Sequence, residues 1–131
     1  MGVKLDHTIV ASNDKKESAE FLAHILDLEP PEVNGHFVTV MVSNGVALDF
    51  DNLSNDPRSM HAASDVRSQH YAFHVDEEDF DGIFDRVKAK GLTHWADPLR
   101  QVPNEINTRR GGRGFYFNGP EGHNYEVFTR A

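Results

Sequence analysis

The sequence predicts an α+β fold built from two copies of one module, and three observations carry that expectation. The run Gln69-His70-Tyr71-Ala72-Phe73-His74-Val75 alternates bulky apolar Tyr71, Phe73 and Val75 with His70, Ala72 and His74. A period of two puts the apolar set on one face of a strand and both histidines on the other. Earlier, Asp6-His7-Thr8-Ile9-Val10 is a second strand-like run with His7 near its start, and each run is followed by a charged, helix-patterned stretch and further strand-like segments. Each half also closes on a carboxylate within a strand, Asp49 in Val46–Phe50 and Glu126 in Asn124–Phe128. His7 and His70 stand 63 positions apart, and the same shift places Phe21 on Phe84. From histidine to closing acid the copies span 42 and 56 positions, so the second carries about 14 extra. The expected boundaries are residues 1–53 for the first module, 54–68 for a linker and 69–131 for the second.

Taken in order, Leu5 to Val10 is the first strand. Asp14-Lys15-Lys16-Glu17 resembles a helix capping box with an acid in place of Ser or Thr. Phe21, Leu22, Ile25 and Leu26 follow at helical spacing, Pro30-Pro31 stops the helix, and His24 belongs to its exposed surface. His36–Val42 and Val46–Phe50 form a hairpin around Ser43-Asn44-Gly45, because Asn-Gly tolerates the positive φ of a tight turn. Asn52 to Ser68 is polar, has neither period, and places His61 in a solvated loop. In the second copy Asp76 caps a helix whose Phe80, Ile83, Phe84 and Val87 keep a 3.6-residue period, with Gly91 at its C-terminal end. His94-Trp95 begins a short strand. Asp97–Gly114 departs from the first copy and holds the run Arg109-Arg110-Gly111-Gly112-Arg113-Gly114. Phe115–Phe117 is a strand, Gly119–Gly122 a turn after which His123 is expected exposed, and Asn124–Phe128 the last strand.

Composition narrows the function. A chain of 131 residues with 38% hydrophobic content and nine Phe supports a core. A formal net charge of -8 and a pI near 5.4 argue against nucleic-acid or anionic-membrane partners. Without cysteine, a metal must be held by His and carboxylate. No apolar run approaches bilayer length, and the N-terminus lacks the order of a signal peptide, so a cytoplasmic protein is expected.

Three separated strands each carry one ligand-capable side chain opposite their bulky apolar residues: His7, His70 and Glu126. Two imidazoles and one carboxylate suit a divalent metal with open positions, such as Fe(II), Mn(II), Ni(II) or Zn(II). If Phe115 and Phe117 are core, Tyr116 faces the same side. His74 shares the face of His70 and reads either as a neighbour of the metal ligands or as pocket lining. Arg109, Arg110 and Arg113 read either as an anion-binding lid for an acidic substrate group or as a solvated surface loop.

Leu5-Asp6-His7, Gln69-His70-Tyr71-Ala72-Phe73, and the stretch from Phe115 through Gly119-Pro120-Glu121-Gly122 to Glu126 resemble the vicinal oxygen chelate superfamily. Its members include glyoxalase I, bleomycin-resistance proteins, fosfomycin-resistance transferases and extradiol dioxygenases. The resemblance implies paired βαβββ modules curling into a mixed-sheet cleft and a metal held by His7, His70 and Glu126. It further implies a small oxygen-rich substrate bound through vicinal oxygens, with Tyr116 as a catalytic group and a homodimer as assembly. No subfamily pattern is met throughout. The extradiol acid/base His is replaced by Thr108, and the transferase Thr two residues after the first His by Ile9. Glyoxalase I places a fourth ligand, usually Glu, where Asp49 stands. Asp49 is shorter by one methylene, roughly 1.5 Å, so it is expected to act as a base or to reach the metal through water. The rival reading is a metal-free protein that sequesters an antibiotic.

Overall fold

A computed structural model of the chain describes residues 2–59 and 62–130, so His61 lies outside the described residues. The chain divides into two units, one up to Arg67 and one from Ser68 onward. Each is α+β with the order βαβββ.

In the first unit the strands are β1 (His7–Ser12), β2 (Glu32–Asn34), β3 (Phe37–Met41) and β4 (Ala47–Asn52), with helix α1 (Lys15–Leu26) after β1. The sheet order is β1-β4-β3-β2, with β1 parallel to β4 and the other pairs antiparallel. The Asp14 carboxylate accepts from the Glu17 backbone N–H at 3.1 Å and caps α1. The helix ends at Leu26 with Asp27 left-handed (φ 54°), ahead of the two prolines. Val10, Val38, Val40, Leu48 and Phe50 are buried with Leu22 and Ile25 of α1, and His24 is exposed. The opposite faces of β1, β3 and β4 carry His7, Ile9, Thr39 and Asp49. Gly45 (φ 82°) turns the β3–β4 hairpin, as the Asn-Gly pair predicts. Strand β2 is an addition: its three side chains are all exposed, so it leaves no burial period in the sequence.

The second unit repeats this plan with β5 (His70–His74), α2 (Glu77–Ala89), β6 (His94–Trp95), β7 (Gly114–Asn118) and β8 (Asn124–Phe128), in the order β5-β8-β7-β6. Its core is aromatic. Phe80 and Phe84 of α2 meet Phe115 at 5.5 and 5.1 Å between ring centroids, and Phe117 meets Tyr125 at 5.6 Å. Each fully buried Phe contributes on the order of 2–3 kcal/mol. Asp76 stands at the N-cap of α2 without a side-chain capping bond, and Gly91 (φ 70°) supplies the left-handed residue at the other end. Trp95 lies beneath the Arg100 guanidinium, 5.7 Å from the ring centroid. The stretch from Asp97 to Gly114, where the sequence has its extra residues, ends in a turn at Arg109–Gly111 closed by the Gly112 N–H donating to the Arg109 carbonyl at 3.0 Å. Among the described residues no helix is long and apolar enough to cross a membrane.

His123, expected exposed, is completely buried. Its Nδ1 accepts from the Gln69 backbone N–H at 3.0 Å and its ring meets Tyr71 edge-on at 5.4 Å. The turn before it folds inward because Tyr125 donates to the buried Glu121 carboxylate at 2.5 Å. Gly119 makes room for that pair: a Cβ there would lie 2.4 Å from Glu121 Oε1.

Candidate functional site

Strand register decides which side chains meet. In the second unit His70 stands opposite Asn124, Ala72 opposite Glu126, and Glu126 opposite Tyr116. His70, Glu126 and Tyr116 therefore share the face turned away from the aromatic core. His70 Nε2 lies 3.1 Å from Glu126 Oε1, with the two side chains 48% and 20% exposed. The Tyr116 ring stacks on that of His70 at 6.0 Å. Burial pushes the Tyr116 hydroxyl above its usual range, as does the charge of Glu126, against an opposing pull from Arg109. Tyr116 is thus held protonated, as a donor.

Of the three arginines in the loop, Arg109 joins this group: its Nη1 donates to the Tyr116 hydroxyl at 3.2 Å. Arg110 is exposed, with a left-handed backbone (φ 54°). Arg113, expected beside them as a substrate contact, is engaged elsewhere. Its guanidinium binds Glu77 and Asp81 of α2 at 2.5 and 2.7 Å and lies 4.2 Å over Phe80. His74 stacks on Phe128 at 5.3 Å and lines a cleft of about 430 Å³ with Glu77, Gly112, Arg113 and Arg130.

The first unit carries the corresponding positions. Ile9 stands opposite Asp49, and Asp49 opposite Thr39. Asp49 thus occupies the register position that Glu126 holds in the second unit, and Thr39 that of Tyr116. Asp49 is 7% exposed and accepts from Thr39 Oγ1 at 2.6 Å. His7 is exposed, and its Nδ1 is paired with Asp6 at 2.9 Å, which leaves Nε2 as the outward donor. That hydrogen bond, with the charges of Asp6 and Asp49, raises the His7 imidazole above its usual range despite desolvation.

Asp6, Thr39 and the contact of Arg109 with Tyr116 were not identified from sequence. Two had a signal. An acid directly precedes His7, and the step of 77 positions from Asp49 to Glu126 also takes Thr39 to Tyr116. The arginine contact had none, because it depends on the fold of the inserted loop.

The donor set fits a divalent cation. Two ligands of one metal, each bonded at about 2.1 Å and set at a right angle, stand about 3.0 Å apart. His70 Nε2 and Glu126 Oε1, which share a hydrogen bond here, stand 3.1 Å apart. Imidazole with carboxylate is also a suitable combination for Mn, Fe, Ni or Zn.

Known proteins place the fold and the family. Two solved oxidases align along the whole chain. Oxidase ChaP-H1 is 48% identical, covers 99% of this chain and 98% of its own, and superposes with a TM-score of 0.90. Oxidase ChaP-H2 is 50% identical with the same TM-score, covering 100% and 96%. Lactoylglutathione lyase from Agrobacterium tumefaciens shares the fold at 18% identity and a TM-score of 0.69, covering 98% of this chain and 94% of its own. Glutathione transferase FosA of Serratia marcescens is 40% identical over 58 residues, 44% of this chain. The match spans about a third (34%) of that curated relative's length. The family model for the Glyoxalase/Bleomycin resistance protein/Dioxygenase superfamily matches residues 4–127, and the chain belongs to that superfamily.

Proposed function

We propose that the protein is a metal-dependent oxidase acting on a small oxygen-rich molecule. The observation that carries the reading is the spacing of His70 Nε2 and Glu126 Oε1 beside the Tyr116 hydroxyl and Arg109. Full-length similarity to two oxidases supports oxidation over the transferase chemistry of FosA, whose match covers less than half of this chain. His70 and Glu126 would hold the cation, and His7, the first residue of the equivalent strand, would supply the third donor. Such a cation supplies Lewis acidity toward two adjacent substrate oxygens and leaves positions open for them.

The chain's own residues account for the rest. Arg109 donates to the Tyr116 oxygen and so turns the hydroxyl proton away from itself, toward the face that carries Glu126. Its remaining guanidinium N–H groups suit an anionic oxygen of the substrate. Asp49, whose carboxylate accepts from Thr39, would serve as a base. His74 and Phe128 provide a flat aromatic wall.

The test begins with elemental analysis of protein purified without chelator. About one equivalent of Fe, Mn, Ni or Zn is expected, and His7→Ala, His70→Ala and Glu126→Ala should each lose it. Oxygen uptake is then followed with a panel of enediol, α-hydroxyketone and diphenol probes. A folded protein that neither contains nor takes up a divalent metal would replace this reading with that of a sequestering binding protein.

A further inference from the structure

The segment from Asn107 to Gly114 is fixed at both of its arms. At its base, Asn107 and Gly114 exchange backbone hydrogen bonds of 2.8 and 3.0 Å. Gly112 lies directly on the end of β8: a Cβ there would sit 1.9 Å from the Thr129 carbonyl oxygen. Between the arms, Arg110 and Gly111 are both left-handed (φ 54° and 76°), which folds the segment back on itself. One arm ends in Arg109, whose only described hydrogen-bond acceptor for its guanidinium is the Tyr116 hydroxyl.

The other arm is Arg113. Its backbone N–H donates to Thr129 Oγ1 at 2.9 Å, and its carbonyl accepts from the Thr129 N–H at 2.7 Å. Its guanidinium spans Glu77 and Asp81, one turn apart on α2, and covers the Phe80 ring. The Thr129 hydroxyl donates to Glu77 at 2.7 Å, so strand, helix and turn share one network. An isolated exposed ion pair contributes little. Here two carboxylates hold one planar fork that is packed on a core ring, and the pairing is directional.

We infer that Arg113 is a positioning residue: its grip on Glu77 and Asp81 holds the arginine turn in place, so that Arg109 stays on the Tyr116 hydroxyl. Arg113 thus acts on the site through Arg109, without touching the group around Tyr116. The inference deepens the proposed function and rests on its reading of Arg109 and Tyr116 as substrate contacts.

The test needs neither metal nor substrate. The chain has three tyrosines, so protein labelled with 3-fluorotyrosine gives three ¹⁹F resonances, and Tyr116→Phe assigns one of them. Arg109→Met should shift the Tyr116 resonance. Arg113→Met should shift it in the same direction while the Tyr71 and Tyr125 resonances stay in place. The pair Glu77→Gln and Asp81→Asn, which keeps Arg113 but removes its partners, should do the same. Arg113→Lys, which retains a cation between the carboxylates, should restore most of the original position. An unmoved Tyr116 resonance in folded Arg113→Met overturns the inference, and so does a common shift of all three, which marks a general loosening. If Arg113→Met does not fold, the carboxylate pair decides by the same two criteria. Metal content, measured separately, tests the proposed function and leaves this result untouched.

Discussion

Replacing Gly112 with alanine probes the arginine turn most directly. The added Cβ would stand 1.9 Å from the Thr129 carbonyl oxygen, 2.4 Å from its carbon and 2.8 Å from Arg130 Cα, and all three are backbone atoms. Real Cβ atoms keep beyond 3.0 Å, so turn and strand end must separate by about 1 Å. No flexible side chain is available to give way. Overpacking of this kind costs about 2 kcal/mol, which lowers Tm by about 8 °C in a chain of this size. The same displacement would stretch the 3.2 Å contact between Arg109 and Tyr116 past hydrogen-bonding reach. Gly111→Ala is the control. Its Cβ meets nothing within 4 Å, so only the left-handed backbone (φ 76°) resists it, at about 1 kcal/mol. Thermal unfolding followed by circular dichroism should therefore rank wild type above Gly111→Ala and Gly111→Ala above Gly112→Ala. A Gly112→Ala protein that melts with wild type, or above the Gly111 variant, would refute the close approach and the rigidity argued from it.

Two further outcomes follow from the geometry. His94 is buried between Phe84 and Phe115 with Nε2 unpartnered, and burial, helped by the charge of Lys88, pushes its imidazole below the usual range. The unfolded chain takes up this proton below about pH 6.5 and the folded chain does not, so stability falls as pH drops through that value. Urea midpoints should show a shallower decline between about pH 6.5 and 5 in His94→Leu than in wild type, and equal slopes would remove His94 as the source. Asp49→Ala should keep most of the bound metal yet lose oxygen uptake, because Asp is one methylene shorter than the Glu at the equivalent position, about 1.5 Å of reach. Metal loss as complete as in His70→Ala would make Asp49 a ligand instead.

The face that carries His70, Glu126 and Tyr116 was legible because a strand's period of two sorts side chains without reference to anything distant. The equivalence of Asp49 with Glu126 was legible for a related reason: a duplicated module preserves register, and register preserves position. What escaped reading depends on tertiary packing. His123 looks like any residue after a turn until Gln69 and Tyr71 close over it. Arg113 resembles Arg109 in sequence, two members of one basic run. They part only because the left-handed corner at Arg110 and Gly111 directs one toward Tyr116 and the other toward α2. Strand β2 lies with every side chain exposed, so no apolar alternation announces it.

The aromatic character of the second unit has an optical consequence. The single tryptophan, Trp95, and all three tyrosines lie beyond residue 68, while the first unit has only phenylalanine. Tryptophan and tyrosine fluorescence is therefore blind to the first half of the chain, whereas far-ultraviolet dichroism reports on the backbone of both. Unfolding curves recorded the two ways coincide only if both halves melt in one step. A gap between them would be read directly as separate melting, with no label introduced. The quenching state of Trp95 under Arg100 adds a local gauge of the loop that begins at Asp97.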